Sequence, residues 1–135
     1  MVHIGERRTA ADLLEKLFKG EITNDEYDNE YPDRAGDAGL NVVYDRIWLY
    51  YDDVAAQFLR KEELTLQDRQ LFERCIAFLR TDFEYEGPLL NRGLSFPLRI
   101  MQLVGGLVSR QRRADSSFLT THWPFTTADQ YRQVQ

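Results

Sequence analysis

The stretch Leu40-Asn-Val-Val-Tyr-Asp-Arg-Ile-Trp-Leu-Tyr-Tyr-Asp-Asp-Val-Ala-Ala-Gln-Phe-Leu59 decides the fold class. Leu40, Val43, Tyr44, Ile47, Trp48, Tyr51, Val54, Ala55, Phe58 and Leu59 recur at steps of three and four. Asp45, Arg46, Asp52, Asp53 and Gln57 mostly fill the opposite side. A half-buried strand would alternate at every second residue, so this period is that of an α-helix with a wide apolar face. One helix over 40–59 is expected.

On its C-terminal side, Thr65 and Asp68 have the spacing of a capping box. Leu71, Phe72, Cys75, Ile76, Phe78, Leu79 and Phe83 follow at helical spacing and predict a second long helix over 66–84, stopped by Gly87-Pro88. The connection at 61–64 is short, which predicts that the two long helices pack as antiparallel neighbours. On the N-terminal side, Thr9 and Asp12 open a helix over 10–19 that Gly20 stops, with Leu13, Leu14, Leu17 and Phe18 on one face. Thr23 and Glu26 write a second capping box, and Tyr31 before Pro32 keeps that helix short. Residues 32–39 read as a loop on composition.

Beyond residue 88 the pattern weakens. Ser95-Phe96-Pro97 resembles a helix entry, while Gly105-Gly106 costs such a helix about 1 kcal/mol per glycine relative to alanine. Residues 116–125 read as irregular, anchored by Phe118, Trp123 and Phe125, and Thr127 opens a short final turn. The expected architecture is an all-α single domain over 1–135. It is a compact bundle of four to six helices with two long antiparallel central helices and an irregular C-terminal segment.

A chain of 135 residues with 43% apolar side chains has enough material for one core. The single cysteine excludes an internal disulfide. Met1–Arg8 lacks the apolar run of a signal peptide, and no stretch approaches the roughly 18 apolar residues of a membrane span, so a cytoplasmic location is expected. Charge is unevenly placed. Residues 21–53 hold ten acids and two bases, whereas residues 87–135 hold two acids and six bases. A net charge of −5 makes a general nucleic-acid binder a poor reading, because phosphate contacts need clustered positive charge. The acidic third suits a basic protein partner.

Catalytic motifs are missing. His3 and His122 stand far apart, Cys75 is solitary on an apolar stripe, and no zinc-binding, nucleophile-elbow or phosphate-loop spacing occurs. No metal and no cofactor are expected, and the balance leans against an enzyme. The binding candidates are Tyr50, Asp52 and Asp53, where Tyr50 points off the apolar stripe and an exposed tyrosine beside acids has interface composition, and Asp82, Glu84 and Glu86 around Phe83 and Tyr85. A small enzyme built on either carboxylate cluster is the alternative, since one desolvated carboxyl could serve as a general acid. Arg110, Arg112 and Arg113 offer a second alternative, a nucleic-acid-associated regulator.

Two stretches, Trp48-Leu-Tyr-Tyr-Asp-Asp53 and Phe72-Glu-Arg-Cys-Ile-Ala-Phe-Leu-Arg-Thr-Asp-Phe-Glu-Tyr-Glu86, resemble a group of small bacterial proteins without an assigned activity. The resemblance implies a bacterial cytoplasmic origin and transfers no residue roles. By analogy, small acidic helical proteins of this kind include immunity proteins that neutralise secreted toxins. The expected function is therefore protein–protein interaction, in the form of an immunity-type inhibitor with an acidic binding surface.

Overall fold

The structure is a computed structural model that describes residues 1–51, 56–87 and 121–135. Its described helices are α1 (Ile4–Phe18), α2 (Asn24–Glu30), α3 (Ala38–Trp48), α4 (Leu66–Leu79) and α5 (Ala128–Arg132), with a 3-10 turn at Lys61–Glu63. Among the described residues, β-structure is limited to one isolated antiparallel bridge between Thr23 and Phe58. The fold is all-α. The helix entry expected at Ser95-Phe96-Pro97, the Gly105-Gly106 pair, Arg110, Arg112, Arg113 and Phe118 lie outside the described residues.

Both capping boxes form. Thr23 accepts the Glu26 N–H at 3.3 Å while Glu26 accepts the Thr23 N–H at 2.9 Å, and Thr65 and Asp68 repeat the exchange at 3.1 Å each way. Tyr31, ahead of Pro32, is extended and ends α2, as the proline requires. Gly20 follows α1 with φ +75, a conformation that glycine adopts without steric cost.

The arrangement of the long helices differs from expectation. α3 stops at Trp48, about three turns short of the predicted end. Its last amides shorten their reach, Tyr50 N–H to Ile47 O and Tyr51 N–H to Trp48 O. Residues past the described gap are then held elsewhere: Asn24 N–H donates to Gln57 O at 3.0 Å, and Asn24 Oδ1 accepts the Gln57 N–H at 2.7 Å. Phe58, placed by periodicity on the apolar stripe, is 55% exposed. The backbone bonds to Asn24 override the periodicity. The principal pair is instead α1 with α4, the two longest described helices and the most extensively packed. Ala10, Leu14 and Leu17 of α1 and Phe72, Cys75 and Leu79 of α4 belong to one buried core, and Phe18 stacks on Phe72 at 5.3 Å. Arg80 ties the same two helices at the surface through Glu15 at 2.7 Å and Asp12 at 3.6 Å.

α1 also begins earlier than Thr9 suggested, at Ile4, with His3 as an N-cap that makes no side-chain cap bond. A distant residue supplies the missing acceptor. Asp37 Oδ2 takes the His3 N–H at 2.9 Å and Arg7 Nε at 2.8 Å, while Oδ1 takes Arg7 Nη2 at 2.8 Å and the Gly39 N–H at 2.9 Å. Arg7 Nη1 continues to the Phe83 carbonyl at 2.7 Å, and the guanidinium lies 4.8 Å from the Phe78 ring centroid. Both charged groups are fully buried. Gly39 has no alternative here, because a Cβ would stand 2.4 Å from Arg7 Nη2 and 2.9 Å from Phe78.

The C-terminal residues close over the end of α4. Arg74 Nε donates to the Trp123 carbonyl at 2.9 Å, Trp123 Nε1 donates to the Tyr85 hydroxyl at 3.1 Å, and Phe125 meets Phe78 edge-on at 5.5 Å. Trp123 and Phe125 are the anchors expected from the sequence, and Thr127 caps α5.

Burial works to raise the Asp37 pKa, but hydrogen bonds from Arg7 and from the His3 amide outweigh it and hold the carboxyl below its ordinary value. The resulting stabilisation is complete above the unfolded pKa, about 4, and is lost as pH falls through the folded value. Asp37→Asn should therefore cost about 3–5 kcal/mol at neutral pH, the range for breaking a buried ion pair. Urea denaturation should show wild type and variant converging as the solution is acidified below about pH 4. A difference that persists unchanged in acid would remove the pair as its source.

Candidate functional site

The candidate residues fall in three different settings. Tyr50 follows α3 in a tight turn and is buried, not exposed as expected. Its hydroxyl donates to Asp68 Oδ1 at 2.7 Å, so the same carboxylate that completes the α4 capping box anchors the end of α3. The ring lies 5.1 Å from Phe72. Its setting is a packing position. Asp52 and Asp53 lie outside the described residues.

Asp82, Glu84 and Glu86 sit beyond the end of α4, which stops at Leu79 where the sequence suggested residue 84. Burial alternates along this non-helical run. The three acids are exposed, Phe83 is half-buried and Tyr85 is buried. None of the three stands in a last helical turn, where the helix dipole would oppose an acid. Glu84 lies 3.6 Å from the terminal amine, and Arg80, adjacent in sequence, pairs with α1 acids.

The acid-rich third is sorted by the fold into inward and outward groups. Asp37 is internal, and Asp45 pairs with Arg34 at 3.5 Å. Glu21, Asp25, Glu26, Asp28, Glu30 and Asp33 are exposed on α2 and its flanks. Beneath them runs an aromatic stack. Tyr27 and Tyr44 are 6.3 Å apart and nearly parallel, and Tyr44 and Trp48 are 5.7 Å apart. Arg34 lies over the Tyr44 ring at 4.0 Å, and the Tyr44 hydroxyl donates to Asp28. Tyr31 and Trp48 are half-buried at the edge of this stack.

Cys75 is fully buried, and burial pushes its thiol up to about 12, against weaker downward effects of Arg74 and Arg46. It is a neutral core thiol, far from the thiolate a nucleophile requires. Among the described residues, no group of three or more His, Cys, Asp or Glu side chains is placed to hold a metal ion. A cleft of about 250 Å³ lies between the end of α3 and the 3-10 turn, with Tyr50, Tyr51, Phe58, Arg60 and Glu63 among its walls. No helix among the described residues is long and apolar enough to cross a membrane.

Sequence reasoning missed two buried arginines, Arg7 and Arg46, and the internal Asp37. Asp37 carried a readable signal, an N-cap residue directly before Ala38. The arginines carried none, since no local pattern marks a buried cation. No protein-family model, curated protein or solved structure matches the chain.

Burial raises the phenols of Tyr27, Tyr31, Tyr50 and Tyr51 well above their ordinary value. The folded state thus prefers the neutral phenol, and the stability this provides is intact below the unfolded pKa, about 10, and lost as pH rises above it. In an alkaline titration, most phenolate absorbance should appear together with the loss of helical circular dichroism. Phenolate formation well ahead of unfolding would show that these rings are open to hydroxide.

Proposed function

We propose that this protein is a protein–protein interaction module that presents the acid-rich surface of α2 and its flanking turns to a basic partner. The carrying observation is the outward placement of Glu21, Asp25, Glu26, Asp28, Glu30 and Asp33. They sit on an element secured from within by Tyr27, which is fully buried. The half-buried Tyr31, Trp48 and Arg34 belong to the aromatic stack beneath α2, and Trp, Tyr and Arg are the residue types that most often concentrate binding energy. The setting is the bacterial cytoplasm, and the mode of action is that of an immunity-type inhibitor occluding a basic toxin surface. Charge complementarity of this kind accelerates encounter more than it deepens affinity. Asp82, Glu84 and Glu86 form a second exposed acidic run.

Capture from the native host, with wild type and with the double variant Asp25→Lys/Glu30→Lys as bait, tests the proposal. A basic protein should be retained by wild type. Its association rate should fall by about tenfold or more from low to physiological salt, and by a similar factor in the charge-reversed variant. A partner that binds both baits at the same salt-insensitive rate would overturn the acidic-surface reading. If wild type retains nothing, the interaction role itself falls.

A further inference from the structure

We draw no further inference here: the strongest candidate, the surface patch at Phe58, which is 55% exposed on the segment bridged to Thr23, is an unpartnered apolar face, and nothing in the structure shows what covers it.

Discussion

The buried pair of Arg7 and Asp37 is the constraint on which the remaining structure depends. It joins residues 30 apart in sequence, and through Phe83 it reaches a carbonyl 76 residues from Arg7. Asp37 supplies the cap for α3 and, by accepting the His3 amide, also the cap that α1 lacks in its own side chains. One carboxylate thus closes two helix starts. The cost of desolvating the pair is high, and a buried ion pair alone is weak grounds for stability. Its contribution is position: the guanidinium fork has fixed geometry, so satisfying it sets where α1, α3 and the run after α4 lie relative to one another.

That placement determines what the acidic third of the chain can offer a partner. Ten acids in residues 21–53 suggested a single field. Asp37 is consumed internally and Asp45 is balanced by Arg34, so among the described residues of this third the outward charge is concentrated on α2 and its flanks. α2 has only seven residues, and short helices are marginal on their own. Tyr27, buried among Tyr31 and Tyr44, is what holds it in place. A surface proposed to steer a partner therefore rests on an aromatic anchor.

Much of the fold was legible because helix starts are local events. A Thr side chain three residues from Glu26 or Asp68 satisfies amides within its own turn, and nothing distant needs to agree. Helix ends were less legible. Periodicity ran to Leu59, yet Asn24, far away in sequence, bonds the backbone at Gln57 and holds it outside any helix. The same limit applies to the candidate residues. Tyr50 looked exposed because a helix continued through it would have turned it away from the apolar stripe, and once α3 stops at Trp48 that angular argument ends.

Alone, the amino-acid order determined the helical class, the two capping boxes, the buried thiol of Cys75 and the anchoring rings of Trp123 and Phe125. Each follows from spacing within a turn or from a side chain's own solubility. Tertiary structure decided which helices form the central pair, which acids point outward, and why Gly39 admits no side chain. Those depend on groups brought together from distant points along the chain, where a fixed guanidinium geometry and a close-packed core leave one arrangement that satisfies every buried charge at the Arg7–Asp37 junction.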